Sequence, residues 1–132
     1  MMRLAKNSLD VGLVTTRPEE SLTFYRDVLG LPHEGEFPMP GGSMHRLTVG
    51  TSVLKIVSLR RVPRGRAHPG GLAGATGYRY LTLTVVDLDD ALAICVEAGA
   101  TIALAATVLP TGGRIAMVAD PDGNWVELVQ QA

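Results

Sequence analysis

The chain has 132 residues, of which 46% are hydrophobic and 19% charged, and its formal net charge is −1. This length suits one domain with its own core, the composition excludes a globally disordered chain, and the near-neutral charge argues against a general nucleic-acid binder. No apolar run approaches the roughly 20 residues that span a bilayer, and the short, polar N-terminus is unlike a signal peptide, so we expect a cytoplasmic protein.

A helix is predicted soon after the first strand. Residues 9–15 alternate between apolar and other side chains, which is typical of a strand. Thr16 then predicts an N-cap, with Pro18 in the first turn and Glu19 at the position that completes a capping box. Gly30 ends the helix because glycine tolerates a positive φ. The apolar stripe of this helix consists of Leu22, Tyr25 and Leu29.

Three strands and a long linker complete the first half of the chain. The strands are predicted at 33–37, 44–49 and 53–59. Residues 60–77 have no periodicity and are rich in Gly, Pro and Arg, which indicates a linker or long loop. This linker lies within a stretch, 37–86, that contains no acidic residue but seven cations. Two interpretations stay open. The cations form a surface that attracts anions, or they only keep a basic loop soluble.

The same order of elements then repeats. A strand is predicted at 78–85, a helix capped by Asp87 follows, and Gly99 ends that helix. The apolar stripe of this helix consists of Leu88, Ala91, Leu92 and Cys95. Cys95 is the only cysteine, which excludes an intramolecular disulfide and a multi-cysteine zinc site. Three further strands are predicted at 101–105, 114–119 and 125–129, with a tight turn at 120–123 before the last.

The spacing supports an internal duplication. The separations between matching positions are 69 residues for Gly30 and Gly99, 70 for Asp10 and Tyr80, and 72 for Lys55 and Glu127. Each half would be marginal alone, because so short a chain buries too little of its surface. We therefore expect a single domain, 1–132, in which two repeats share a core. Its parts are repeat one at 8–59, the linker at 60–77 and repeat two at 78–130.

Alternation along the strands separates a face that packs under the helices from a face that points away from them. Leu9, Val11 and Leu13 are predicted to pack under the first helix. On the opposite face, four strands each carry one polar or ionisable residue at mid-strand: Asp10, Lys55, Tyr80 and Glu127. Their placement, two per repeat, favours a common concave pocket. The alternative is that these four side chains face solvent on an open sheet.

Two motifs resemble the vicinal oxygen chelate superfamily, also called the glyoxalase/bleomycin resistance protein/extradiol dioxygenase group. They are SLTFYRDVLGL at 21–31 and DPDGNWVEL at 120–128. With the doubled order of elements, the resemblance covers nearly the whole chain. It implies an α+β fold in which two βαβββ modules form a U-shaped, half-barrel sheet around a central pocket. It also implies a homodimer, in some members with modules exchanged between chains.

In metal-using members of this superfamily, four side chains from the sheet hold a divalent cation. The matching positions here are the same four residues that alternation placed together. Glu127 alone is a usual ligand type, Asp10 is a carboxylate that still ligates, and Tyr80 is a poor ligand. Lys55 is worse, because an ammonium has no lone pair and repels a dication. We therefore expect no metal cofactor, with Asp10 and Glu127 as ligands if one binds.

These four residues also predict a network of ion pairs and hydrogen bonds in which each charged group has a partner. Both carboxylates would pair with the ammonium of Lys55, and the Tyr80 hydroxyl would donate a hydrogen bond. The histidines fall at none of the four positions, and an isolated histidine is typical of a surface or hydrogen-bonding group. They are His33, His45 and His68.

The first hypothesis for function is a metal-free binding protein for a small organic, aromatic or anionic molecule, because the resemblance includes proteins that sequester antibiotics. Trp125 offers a stacking plane, although ordinary core packing explains it equally well. Arg46 and the basic linker would attract an anion. With the four mid-strand residues, this gives a ligand-binding set of Asp10, Arg46, Lys55, Tyr80, Trp125 and Glu127.

The second hypothesis is a metal-free enzyme, such as an isomerase or lyase. Glu127 would act as base, Tyr80 as acid, and Lys55 would stabilise a developing enolate or phenolate. The third is a metal-dependent glyoxalase, epimerase or ring-cleaving dioxygenase with the metal on Asp10 and Glu127. Fold alone does not decide among the three, since one fold hosts many chemistries.

Overall fold

The computed structural model describes residues 1–132 and divides the chain into two compact units, Met1–Arg64 and Gly65–Ala132. Each unit contains one four-stranded mixed sheet with a helix after its first strand. The predicted α+β fold with two βαβββ modules is confirmed. The boundary between the units falls inside the predicted linker. None of the helices has the length and apolar character that crossing a membrane requires.

The first unit builds its sheet in the order β1-β4-β3-β2, in which β1 runs parallel to β4 and the other pairs are antiparallel. Its core contains Leu22, Tyr25, Leu47 and Ile56, each at most 2% exposed. The strands are β1 (Val11–Val14), β2 (His33–Met39), β3 (Gly42–Val49) and β4 (Ser52–Leu59).

The first helix begins one residue later than predicted and changes its pitch. Helix α1 (Pro18–Leu22) has Arg17 as its N-cap, without a capping side chain, so the predicted capping box from Thr16 is wrong. The reason is that Pro18 occupies the first helical position, where its missing N–H costs nothing. A π-helical segment, Thr23–Val28, continues the chain. Two adjacent aromatic side chains in this segment, Phe24 and Tyr25, are both buried.

The face predicted for β1 is only partly correct. Leu13 is half-buried, whereas Leu9 is 81% exposed and Val11 is 42% exposed. The helical segment after β1 contacts β4, which is the interior neighbour of β1 in the sheet. As an edge strand, β1 is therefore left with apolar side chains that the single chain does not cover.

The second unit repeats the arrangement, with sheet order β5-β8-β7-β6. Helix α3 (Leu88–Glu97) begins as predicted, because the Asp87 carboxylate accepts a hydrogen bond from the backbone N–H of Asp90 at 3.0 Å. Cys95 is buried on this helix, and burial raises the pKa of its thiol, consistent with a packing role. The strands are β5 (Tyr80–Thr84), β6 (Thr101–Val108), β7 (Arg114–Ala119) and β8 (Trp125–Gln130).

The linker is not wholly irregular. A short helix, α2 (Gly71–Gly74), lies within it and was not predicted, because four residues with two glycines carry no periodic signal. Gly70 and Gly71 both adopt positive φ, at 94° and 55°. This left-handed backbone gives the segment a compact turn that other residues rarely adopt.

Candidate functional site

A row of two cations crosses the middle of the first sheet. Lys55 on β4 pairs in register with Arg46 on β3. The row ends at Gly12 on β1, next to Lys55, and at Gly35 on β2, next to Arg46. Residues directly opposite each other on neighbouring strands lie on the same face, so both cations project from one side of the sheet. We call this side the Lys55 face. The two glycines leave the cations without side-chain neighbours along the row.

The charges of this row are only partly compensated. Arg46 has an ion pair, with its Nε 3.5 Å from Oε1 of Glu34. Lys55 forms no ion pair within 4.0 Å, although it lies close enough to Asp10 to lower the pKa of that carboxyl. Like charges directly opposite on adjacent strands are destabilising. The row is therefore a place where an added anion would be stabilised.

An apolar row lies beside the cations on the Lys55 face. In register order it consists of Val14, Val57, Met44 and Phe37. Val57 is buried, whereas Val14 and Phe37 are 49% and 41% exposed. An apolar strip next to a pair of cations suits a molecule with a hydrophobic part and an anionic group. Phe37 was not among the predicted site residues, because Pro38 obscures the alternation of its strand.

Asp10 is already engaged within the first unit. Its Oδ1 accepts hydrogen bonds from Lys6 Nζ at 2.8 Å and from the backbone N–H of Val53 at 2.9 Å. The bond from Lys6 is the largest cause of the lowered pKa of Asp10. Lys6 also donates to the carbonyl of Thr51 at 3.0 Å. Asp10 thus ties the N-terminal segment to β4, and within this unit its ion-pair partner is Lys6 rather than the predicted Lys55.

The second sheet carries a carboxylate on the equivalent row. Glu127 on β8 pairs in register with Thr82 on β5 and with Met117 on β7. The Thr82 hydroxyl donates a hydrogen bond of 2.8 Å to Oε1 of Glu127. We call this side the Glu127 face. Thr82 was not predicted as a partner of Glu127, because the register of the two strands, and not their composition, brings the side chains together.

Two aromatic residues occupy the next row of the Glu127 face. Tyr80 and Trp125 are register partners on β5 and β8, and Tyr80 is 47% exposed while Trp125 is half-buried. The hydroxyl that hydrogen-bonds Glu127 comes from Thr82, and not from Tyr80 as the predicted network required.

The linker covers part of Trp125. A Cβ placed on the buried Gly71 would overlap the indole ring, so the backbone of α2 lies directly against Trp125. Arg79 fixes this approach by donating hydrogen bonds to the carbonyls of Gly71 at 2.7 Å and His68 at 2.8 Å. Arg79 therefore acts as a structural clamp on the linker, which its sequence context did not reveal.

The four positions that hold a metal in the resembling proteins do not suit one here. Lys55 offers no lone pair, and Asp10 already accepts two hydrogen bonds through one oxygen. The structure brings no three His, Cys, Asp or Glu side chains together in a way that holds a metal ion.

The predicted site residues thus fall into two sets. Asp10, Arg46 and Lys55 belong to the first unit, whereas Tyr80, Trp125 and Glu127 belong to the second. Strand register places Lys55 beside Arg46 in the first unit and Tyr80 beside Trp125 in the second. The single pocket that the sequence favoured stays a prediction.

Comparisons with known proteins agree with this architecture. A sequence model of the glyoxalase/bleomycin resistance protein/dioxygenase superfamily matches residues 8–128. No curated protein matches the chain. A glyoxalase family protein from Bacillus cereus shares 17% identity, with a TM-score of 0.83 and coverage of 98% of this chain and 95% of that one.

Two further solved structures share the fold at low identity. The trypanothione-dependent glyoxalase I of Leishmania major is 20% identical, with a TM-score of 0.73 over 96% of this chain and 88% of that one. TnmS3, an antibiotic-binding protein from Streptomyces sp. CB03234, is 24% identical, with a TM-score of 0.70 over 100% of both chains. Because the family match spans nearly the whole sequence, the chain belongs to the glyoxalase/bleomycin resistance protein/dioxygenase superfamily.

Proposed function

We propose that this protein binds, and holds without a metal, a small organic molecule that carries an anionic group beside an aromatic or apolar part. The observation that carries the proposal is the row of Lys55 and Arg46 on one face of the first sheet. A ligand such as an anionic metabolite or antibiotic would place its charge there. The antibiotic-binding neighbour shares the fold and is compatible with such a role.

The physical argument concerns the two cations. Their mutual repulsion is unfavourable in the free protein, and only Arg46 has a carboxylate partner within 4.0 Å. Sequences keep such local conflicts mainly at functional sites. A carboxylate, sulfonate or phosphate on the Lys55 face would form charge-assisted hydrogen bonds with both groups. The apolar row next to them, with Phe37 exposed, would contact the rest of the molecule.

The Glu127 face of the second unit offers contacts of its own that suit an aromatic ligand. Tyr80 presents an exposed ring, and Trp125 presents whichever part of its indole Gly71 does not cover. Asp10 retains Oδ2, which accepts no hydrogen bond in the structure, for a donor on the ligand.

Two fluorescent probes that differ by one charge test this proposal. Anilinonaphthalene sulfonate is an aromatic anion, and phenylnaphthylamine is its uncharged counterpart. We expect the protein to bind the anion more tightly, and we expect Lys55→Met or Arg46→Met to weaken that binding roughly tenfold, equivalent to about 1.4 kcal/mol. Binding of the uncharged probe should change little, because it makes no charge-assisted contact.

The matched control is Arg3→Met, which removes an exposed cation outside both sheets. This variant should bind both probes as the original protein does. Circular dichroism of each variant verifies that it is folded. The proposal is wrong if the original protein does not prefer the anionic probe, or if the Lys55 and Arg46 variants lose both probes equally.

A metal-free enzyme is the second candidate, and one contact favours it. Thr82 orients Glu127 through Oε1, which leaves Oε2 without a hydrogen bond on the Glu127 face. A fixed carboxylate with one accepting oxygen is suited to removing a proton next to a carbonyl, and the hydroxyl of Tyr80, on the same face of the second sheet, is suited to act as the acid.

Deuterium exchange from solvent into a panel of 2-keto acids and 1,2-dicarbonyl compounds, followed by NMR, tests this activity. Glu127→Gln should abolish catalysed exchange, a loss of roughly 100-fold or more. Binding of the probes should stay within a few-fold. If no compound exchanges faster with the protein than with buffer, this second candidate is rejected and the binding proposal stands by itself.

We further propose a homodimer that acts in the cytoplasm, with both repeats in a single domain. Support for a second copy comes from the edge of the first sheet, where Leu9, just before β1, and Val11, within β1, remain exposed in the single chain. Neighbouring exposed apolar side chains of this kind mark interaction surfaces.

A further inference from the structure

Two of the three histidines meet on the side of the first sheet opposite the Lys55 face. His45 pairs in register with Glu36 and with Ile56, and Ile56 is fully buried. His33 pairs with Leu47, one row along the same side. A register shift between His33 and Gly35 brings the edge of β2 toward His45. Two residues that look isolated in the sequence are therefore direct neighbours.

The two imidazoles face each other through nitrogen atoms. His33 Nε2 lies 3.0 Å from His45 Nδ1, and the other nitrogen of His45, Nε2, lies 3.7 Å from Oε2 of Glu36. The carboxylate favours a proton on Nε2 of His45, which leaves Nδ1 with its lone pair directed at His33. The side chain of His45 is only 12% exposed, so its orientation is restricted.

We propose that His33 and His45 form a binding site for one divalent transition-metal ion of the Cu²⁺ type, with water completing the coordination. Bonds of about 2.0 Å from imidazole nitrogen to metal, meeting at a right angle, separate the two nitrogens by about 2.8 Å. The observed 3.0 Å is close to that value. A tetrahedral angle would need about 3.3 Å. The observed separation lies between these two values and admits either angle, so the preference for Cu²⁺ over Ni²⁺ and Zn²⁺ follows from the affinity order of the divalent metals for nitrogen ligands.

Glu36 places a negative charge on the far side of the His45 imidazole. At 3.7 Å its carboxylate is beyond hydrogen-bond distance of Nε2, but its charge favours a proton on that nitrogen and stabilises a cation bound at Nδ1. On metal binding, His33 carries its proton on Nδ1 instead of Nε2, and the two rings rotate so that both lone pairs point at a metal that lies to one side of the line between the nitrogens, about 2.0 Å from each. Neither histidine lies at a position matched to the superfamily's metal site.

Titration calorimetry and electron paramagnetic resonance with Cu²⁺ as the probe test the proposal. We expect one equivalent to bind, with hyperfine splitting from coordinated nitrogen, and the order of affinity Cu²⁺ above Ni²⁺ and Zn²⁺. His33→Asn and His45→Asn should each weaken Cu²⁺ binding at least tenfold. Glu36→Gln should weaken it by no more than about fivefold, because this exposed carboxylate acts on His45 through its charge alone.

The matched control is His68→Asn, which changes the remaining histidine and leaves its backbone carbonyl free to accept from Arg79. This variant should bind Cu²⁺ as the original protein does. His33 is exposed at the edge of the sheet, so its variant remains informative even if His45→Asn fails to fold. Absence of stoichiometric Cu²⁺ binding, or equal losses in the His33 and His68 variants, overturns the proposal. Neither result bears on the Lys55 face.

Discussion

At the scale of single residues, Asp120 shows what a short motif does in the second unit. Its side chain is 5% exposed, and Oδ1 accepts hydrogen bonds from the backbone N–H groups of Asp122 and Asn124, each at 2.9 Å. Oδ2 accepts from the Asn124 side chain at 3.0 Å. The DPDGN sequence therefore builds the turn that positions β8, and with it Trp125 and Glu127.

We expect Asp120→Ala to lower the free energy of unfolding by about 2–3 kcal/mol, because it leaves several donors in a part-buried turn without an acceptor. Urea denaturation measures the change. Glu97→Ala is the control, since it removes an exposed carboxylate from α3 and should alter stability by no more than about 0.5 kcal/mol. An Asp120 variant as stable as the control would show that the turn forms without this side chain.

At the scale of elements, two glycines in the linker separate the effect of a packing contact with Trp125 from the effect of backbone strain. Gly71 has φ of 55°, and an added Cβ would overlap the indole. Gly77 has φ of 101°, but nothing lies within 4 Å of the place where its Cβ would be. Both substitutions by Ala impose a left-handed backbone on a residue with a side chain, which costs about 1–2 kcal/mol. Only Gly71→Ala also displaces α2.

We expect Gly71→Ala to shift the fluorescence of Trp125 to longer wavelength and to increase its quenching by acrylamide, because the ring loses its cover. Trp125 is the only tryptophan, so the signal is unambiguous. Gly77→Ala should leave the spectrum unchanged. Equal spectra for the two variants would mean that the linker does not shield the indole.

At the scale of the whole molecule, sedimentation equilibrium tests the proposed homodimer. Val11 is 42% exposed on the edge strand β1, and a lysine there would place a charge in any interface that β1 forms. We expect the original protein to sediment as a dimer and Val11→Lys to shift it toward the monomer. Val62→Lys is the control, because Val62 is 61% exposed in the linker. A monomeric original protein would contradict the proposal.

The order of the elements follows from the sequence by itself. Strand alternation, Asp87 as a cap and the DPDGN turn are local signals, and local contacts decide each of them. The duplication then predicted the two βαβββ modules correctly. The capping box at Thr16 failed because Pro18 fixes the first helical turn one residue later. The π-helical segment was not predicted, because the apolar stripe of Leu22, Tyr25 and Leu29 carries the period of an ordinary α-helix.

Only the tertiary structure decided which side chains meet. The sequence placed Lys55 and Glu127 on faces away from the helices, but strand register selected Arg46 and Thr82 as their neighbours. The same holds for His33 with His45 and for Gly71 with Trp125. These partners are separated along the chain, so their contacts depend on strand pairing, a bulge and the path of the linker. Local sequence patterns fix the elements, whereas the site depends on how those elements are aligned.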